Sequence, residues 1–392
     1  MKILVITFSK GLNPGTFMQA YGVKTGLLRI FPNANINYLN FPDFKWDQSK
    51  RNTQDSWIDI IKQKGFAAYR LLKYKKLERQ TFNYTRSIDL FNYNKKEAQS
   101  LLGYYDLIVV GSDTILEKVY NNNNQMGLNW ASSLLCNAKH VFFAASASPA
   151  NYADDDFIID QLSKVVKNFS YIGLRDQLTI NLFKEKLKVD ESIINKQPDP
   201  SYLLDVEQFK LSNYYVKKIS KIKKQGKKIA FYNFSPNFPY RKELAEMIKK
   251  AGYKIVTSVY NPHADIAIDT INAKEWAGIF RYCDITITER FHDSLFSIRN
   301  GCPVIAIDWE KDRISNIGDS KTYRILQDYN LEKHHYNLKD KSQLQEIIND
   351  IPTAIHDYDN ANIPEKCRTY ENKANELLHK IKQAVEYKNN PT

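Results

Sequence analysis

The stretch DITITERFHDSLFSIRNGCPVIAID, residues 284–308, reads as strand, helix and strand. DITI at 284–287 is a short run of the kind a buried parallel strand needs. Arg290, Phe291 and His292 follow at the point where that strand ends. An apolar-periodic helix over 292–300 comes next, then Gly301, Pro303 and the strand PVIAID. Strand, helix and strand in this order form a βαβ unit, the repeating element of an α/β fold. In such folds, ligands sit beyond the carboxyl ends of the strands, which is where the arginine and the imidazole fall.

The same grammar runs outward from this segment in both directions. KILVITF at 2–8 predicts a buried strand, GLNPGTFMQAYG at 11–22 a loop entering a helix, and INYLNF at 36–41 a second strand. YDLIVVGSD (105–113), HVFFAASAS (140–148) and YIGLRDQ (171–177) each end a strand in a loop carrying polar residues. KIAFYNF at 228–234 opens a second series of strands and helices. The 392 residues suit two cores better than one. The predicted architecture is therefore two Rossmann-like α/β domains facing a cleft. The first covers 1–212, with a helical excursion at 45–100. A basic linker at 213–228 leads to the second domain at 229–363. A C-terminal helix and tail at 364–392 are expected to pack back toward the first domain.

Composition narrows the function classes. The net charge of +12 favours anionic partners, although a chain rich in Lys, Asn, Tyr and Ile can carry such a charge without a specific role. The four cysteines, Cys136, Cys283, Cys302 and Cys367, form no CxxC pair and have no histidine at metal-ligand spacing. Neither a metal nor a disulfide framework is expected, which fits a reducing cytosol. MKILVITF is too short for a signal-peptide core, and no apolar run reaches the length of a membrane span. The expectation is a cytoplasmic protein, with peripheral contact at the inner membrane face left open. No recognised nucleic-acid motif accompanies the basic residues, so no nucleic-acid partner is expected.

Several residues carry candidate chemistry. A helix starting near Phe291 would direct its free N–H groups at the cleft, where they bind phosphate or carboxylate. Arg290 adds a planar donor for the same anion, and His292 can give or take a proton near neutrality. The bland alternative pairs Arg290 with Glu289 or Asp293 and leaves His292 as a helix cap. Arg175 occupies the corresponding strand end in the first domain, either as a second anion donor or in a surface ion pair with Asp176. Together the two arginines would suit a ligand with one phosphate and one carboxylate. Asn13 and Gly15 either contact a ligand or form a turn. Asp113 either accepts bonds from sugar hydroxyls or caps a segment. Ser146 and Ser148 lack a GxSxG elbow, so nucleophilic serine chemistry is not expected. The lysine run at Lys217, Lys218, Lys221, Lys223, Lys224, Lys227 and Lys228 is a solvated linker or a contact with lipid headgroups. Arg70, Lys73, Lys75, Lys76 and Arg79, interleaved with Tyr69, Leu71, Leu72, Tyr74 and Leu77, form a second candidate basic surface.

Taken in order, these segments resemble the polysaccharide pyruvyl transferase family. NPGTFMQAYG is similar to its N-Y-G-x-x-L-Q-A-Y pattern. YDLIVVGSD, HVFFAASAS, YIGLRDQ and PDPSYLLD follow in its order. ITERFHDSLFSIRNGCPVIAID resembles its R-x-H, helix, G-x-P-x-I-A-I signature. GSDTIL and ASAS depart from the family's usual loops, which leaves the acceptor open.

The resemblance implies a GT-B-like bacterial transferase of capsule or exopolysaccharide synthesis. It would move pyruvate from phosphoenolpyruvate onto two sugar hydroxyls, forming a cyclic ketal and releasing phosphate. The acceptor would be a cell-surface glycan or a precursor carried on polyprenyl diphosphate. No cofactor or metal is implied. Arg175, Arg290, Phe291 and His292 would hold the donor, with His292 as acid/base and Arg290 offsetting charge on the departing phosphate. Asn13, Gly15, Gln19, Asp113 and Ser146 would face the acceptor. Two other readings fit the same architecture: a nucleotide-sugar glycosyltransferase, and a non-catalytic glycan- or lipid-binding protein.

Overall fold

A computed structural model describes residues 1–41, 57–148, 150, 152–268, 270–309 and 320–386. Among them the strands assemble into two parallel sheets. The first contains β1 Lys2–Ile6, β2 Asn35–Asn40, β3 Asn83–Ser87, β4 Leu107–Val110, β5 Lys139–Ala145, β6 Phe169–Leu174 and β7 Ile194–Lys196, in the order β3-β2-β1-β4-β5-β6-β7. The second contains β8 Lys228–Asn233, β9 Tyr253–Thr257, β10 Ile266–Ala267, β11 Ile285–Thr288, β12 Val304–Asp308 and β13 His335–Asn337, in the order β10-β9-β8-β11-β12-β13. The central strands are apolar on both faces because helices cover both sides, as parallel sheets require. LIVV of β4 and ITIT of β11 are buried at every position.

The helices of the first unit are α1 Pro14–Ile30, α2 Trp57–Thr81, α3 Lys95–Leu102, α4 Leu128–Leu135, α5 Asp156–Val166 and α6 Gln177–Asn181. Those that follow are α7 Asn213–Lys223, α8 Arg241–Lys250, α9 Ala273–Ile279, α10 Phe291–Arg299, α11 Lys321–Asp328, α12 Leu344–Asn360 and α13 Ile363–Glu386.

Strand order decides where ligands can bind. In both sheets the winding reverses beside the first strand of the unit, between β1 and β4 and between β8 and β11. At such a reversal the connecting helices diverge and leave a crevice beyond the carboxyl ends. Asp113 follows β4, and Arg290 follows β11. The residues singled out in the sequence therefore stand at the crevices of two sheets.

The two units share one apolar cluster, which includes Val5, Phe17 and Val23 from the first and Phe231, Trp276 and Phe296 from the second. The last helix returns to the first unit: Arg29 Nη1 of α1 donates to Asn375 Oδ1 of α13 at 2.7 Å, and Tyr370 stacks on Tyr202 at 5.3 Å. Gly22 of α1 lies so close to the Pro200 carbonyl that an added Cβ would sit 2.2 Å from its oxygen. This close approach seats the 3-10 turn Pro200–Leu203, which follows Asp199, directly on α1.

Two segments fold differently from their sequence reading. The helical excursion contains an edge strand, β3, paired in parallel with β2. Its residues NYTRS lack an apolar run because an edge strand buries little. Residues 45–56 of the excursion lie outside the described residues. The lysine-rich linker is helical over α7: Tyr215 and Ile219 turn inward, and Lys223 Nζ pairs with Asp284 at 3.1 Å.

Candidate active site

The site is built where the carboxyl ends of the two sheets meet. From the second sheet, β11 ends at Thr288 and α10 begins at Phe291, with Arg290 as the N-cap residue. Thr288 Oγ1 accepts the Arg290 N–H at 3.1 Å and lies 2.8 Å from Asp293 Oδ2. Asn233 Nδ2, at the end of β8, donates to the same carboxylate oxygen at 2.6 Å. Burial raises the Asp293 pKa, and Arg290, Thr288 and Asn233 oppose that rise. This buried knot fixes the start of α10, so the backbone N–H groups of its first turn face outward with no intrahelical acceptor.

Glu289 does not pair with Arg290 in an ion pair. Its carboxylate accepts the Ser235 N–H at 2.6 Å and the Trp309 indole N–H. With Asp293 also engaged, the buried Nε of Arg290 has no hydrogen-bond partner among the described residues. Arg290 therefore acts on Asp293 through its charge, without a close ion pair to either neighbour among the described residues.

From the first sheet, Arg175 follows β6 directly, and its side chain is 8% exposed. Nη1 donates to Asp199 Oδ2 at 3.0 Å, and Nη2 donates to Asp113 Oδ1 at 3.1 Å. Asp176 instead caps α6 through the Thr179 N–H. Burial would lower the Arg175 pKa, but Asp113 and Asp199 outweigh it and hold the guanidinium firmly charged.

Asp199 is the hub. Besides Arg175 it accepts from Gln19 Nε2 at 2.6 Å and from the Ser201 N–H at 2.9 Å. His292 Nε2 lies 3.5 Å from its Oδ2. Burial pushes the Asp199 pKa up, yet His292, Arg175 and Ser201 together hold it far below the usual carboxylate range. The His292 contact crosses the cleft, and the buried Nε2 makes no geometrically aligned hydrogen bond among the described residues.

Lys321, at the start of α11, completes the set with its Nζ 3.6 Å from Asp113 Oδ1. Burial and the nearby Arg175 lower the Lys321 pKa. Burial raises that of Asp113, but Lys321, Arg175 and His292 more than reverse it. Phe291 covers Arg175, whose guanidinium carbon lies 5.3 Å from the ring centroid.

The remaining expected site residues have these partners. Arg175, expected to hold the donor, donates from Nη1 to Asp199 and from Nη2 to Asp113, so it also ties the two aspartates together. Gln19 is 1% exposed and donates from Nε2 to Asp199, while its buried Oε1 has no partner among the described residues. Ser146 is fully buried and accepts the Ser148 N–H, out of an acceptor's reach. Asn13 is exposed and caps α1 through the Gly15 N–H at 3.1 Å. Asp113 stays at the site, as a partner of Arg175 and Lys321.

Gly15 has a specific task. A Cβ there would lie 2.3 Å from His292 Nδ1 and 2.4 Å from Cγ. The imidazole thus rests against bare backbone at the start of α1. Gly15→Ala is expected to displace the ring and cut turnover by about 10²-fold, the scale of a 1 Å misplacement at a reacting centre. Kinetics and a crystal structure of the variant would check this; an unmoved ring with full activity would refute it.

The sequence reading did not single out Asp199 and Lys321 as site residues. Asp199 sits inside the quoted PDPSYLLD, where it reads as the cap of a turn, which it also is.

The polysaccharide pyruvyl transferase family profile matches residues 13–311. No curated protein matches the chain in sequence. Among solved structures, the UDP-GlcNAc 2-epimerase of Neisseria meningitidis bound to UDP-GlcNAc aligns with a TM-score of 0.54 at 12% identity, covering 97% of this chain and 99% of that one. The S. aureus MnaA–UDP structure aligns at 0.54 and 11% identity, over 98% and 96% of the two chains. Anabaena Alr3699/HepE in complex with UDP-glucose aligns at 0.51 and 12%, over 98% of each. At these identities the likeness describes the two-domain, GT-B-like fold, while the profile match covers most of the sequence. The chain belongs to the polysaccharide pyruvyl transferase family.

Proposed function

We propose that the protein transfers the pyruvate group of phosphoenolpyruvate onto two hydroxyls of a sugar, forming a cyclic ketal and releasing phosphate. The acceptor is a cell-surface glycan or its lipid-linked precursor. The observation that carries this reading is the position of His292. It stands at the head of α10, next to an arginine with an unsatisfied buried nitrogen, and 3.5 Å from the Asp199 carboxylate of the first unit.

In this scheme Arg290, Lys321 and the first N–H groups of α10 bind the donor's phosphate and carboxylate. Protonated His292 delivers its proton to the methylene carbon, and the adjacent carbon becomes electrophilic. One sugar hydroxyl adds there and returns its proton to His292. Cleavage of the carbon–oxygen bond releases phosphate, the second hydroxyl closes the ketal, and its proton leaves with the phosphate or to solvent. Arg290 offsets charge on the departing phosphate.

Melting temperature tests the donor first. Phosphoenolpyruvate at a hundredfold excess over its Kd should stabilise the protein by about 2.7 kcal/mol. UDP-GlcNAc at the same concentration should leave it unchanged. The reverse result would replace the donor with a nucleotide sugar.

A further inference from the structure

The two faces of α2 have different chemistry. On the inner face, Arg70, Tyr74 and Leu77 are buried. Arg70 Nη2 donates to the Leu12 carbonyl at 3.0 Å, in the loop that enters α1. Its Nη1 donates to the Ser258 carbonyl at 3.2 Å, just past β9 in the second unit. Phe66 stacks on Tyr260 at 5.9 Å. The helix thus spans the two units beside the strand-end loops that form the cleft.

On the outer face, Ile61, Gly65, Ala68, Tyr69 and Leu72 follow one another at helical spacing and form a single stripe. Ile61 is 68% exposed and Leu72 is 67% exposed. Lys62, Lys73 and Lys76 border one side of this stripe, and Lys64 and Lys75 the other. Among the described residues none of Lys62, Lys64, Lys75 and Lys76 has a carboxylate partner, and the Lys73 ammonium lies 5.4 Å from the Tyr69 ring centroid.

Single exposed apolar residues are ordinary, but a contiguous stripe rimmed by charge marks an interaction surface. Apolar residues between two rows of lysines match an interface with apolar depth and an anionic surface, which is a bilayer of anionic lipid. A nucleic-acid backbone would use the charge and leave the aliphatic stripe in water. The other basic segment differs: in α7 Tyr215 and Ile219 turn inward, and its lysines border no such stripe.

We propose that the outer face of α2 docks the protein on an anionic membrane surface. Ile61, Tyr69 and Leu72 enter the headgroup boundary, and the flanking lysines lie at the level of the phosphates. Through Arg70 the docked helix holds the cleft beside the bilayer. The benefit to a lipid-linked acceptor rests on the proposed reaction; the docking itself does not.

The test is co-sedimentation of the full chain with vesicles, either equimolar phosphatidylglycerol and phosphatidylcholine or phosphatidylcholine alone. Binding is expected to the mixed vesicles, to weaken with added salt, and to be slight on the neutral ones. Each lysine near an anionic surface is worth about fivefold in binding. The triple variant Lys73→Glu, Lys75→Glu, Lys76→Glu should therefore lose about a hundredfold or more. The double variant Ile61→Asp, Leu72→Asp should also release the protein. Both sets are surface changes, so the melting temperature and turnover of a soluble acceptor should hold. An α7 variant, Lys217→Glu, Lys221→Glu, Lys224→Glu, should still bind. Failure of the wild type to bind mixed vesicles overturns the proposal, as does binding lost only in the α7 variant. Binding to an acidic protein in place of vesicles does the same.

Discussion

His292→Ala is expected to lower kcat by about 10²–10⁴-fold, the range for loss of a positioned general acid–base group. Donor affinity should change little, because in this scheme the anion is held by Arg290, Lys321 and the first turn of α10. The pattern follows from geometry. The imidazole lies between Gly15 of one unit and Asp199, with its Nε2 buried and in no geometrically aligned hydrogen bond among the described residues. A group held this way contributes to proton transfer more than to ground-state binding, so its loss should appear in kcat and kcat/KM together. Turnover that survives in His292→Ala would remove the imidazole from the chemistry.

Asp199→Ala should have the largest effect on stability. Asp199 is 3% exposed and joins Arg175, Gln19 and the Ser201 N–H. Removing it leaves the buried Arg175 with Asp113 as its remaining ion-pair partner at the site. Breaking a buried pair in this way costs about 3–5 kcal/mol. Urea unfolding would measure it, and a loss under about 1 kcal/mol would place the charge in water instead. Asp199→Asn keeps the shape and should cost less.

The sign of the pH dependence follows from the same carboxylate. Its folded pKa lies below the unfolded value of about 3.9. Its contribution is therefore fully present above that value and is lost as pH falls below it toward the folded pKa. The difference in stability between wild type and Asp199→Ala should shrink from about pH 4 downward, and be flat from pH 5 to 8 as far as this group decides.

Much of the fold was legible because buried parallel strands are apolar on both faces. KILVITF, YDLIVV, HVFFAA and DITI stand out against amphipathic helices for that reason. The head of α10 was legible too, since strand, Arg290-Phe291-His292 and helix are contiguous. What was hidden depends on contacts distant in sequence. Gln19 and Asp199 are 180 residues apart and meet through the packing of α1 on the turn after Asp199. Nothing in FMQAYG indicates that its glutamine faces inward to a carboxylate. Arg175 read as an anion donor or as the partner of Asp176, because the two aspartates it pairs with come from other loops. β3 was missed because an edge strand need not be apolar, and α7 because lysines hide the inward spacing of Tyr215 and Ile219.

The most direct test of the proposed reaction follows two products at once. Purified protein would be incubated with phosphoenolpyruvate and a panel of galactosides, glucosides and N-acetylhexosamines, including lipid-linked forms. Inorganic phosphate would be measured beside the mass of the acceptor. The expected result is phosphate and the mass of a pyruvate ketal appearing in equal amounts, and both lost in His292→Ala. Release of phosphate without the ketal, or release of a nucleotide from a nucleotide sugar with transfer of its sugar, would contradict it.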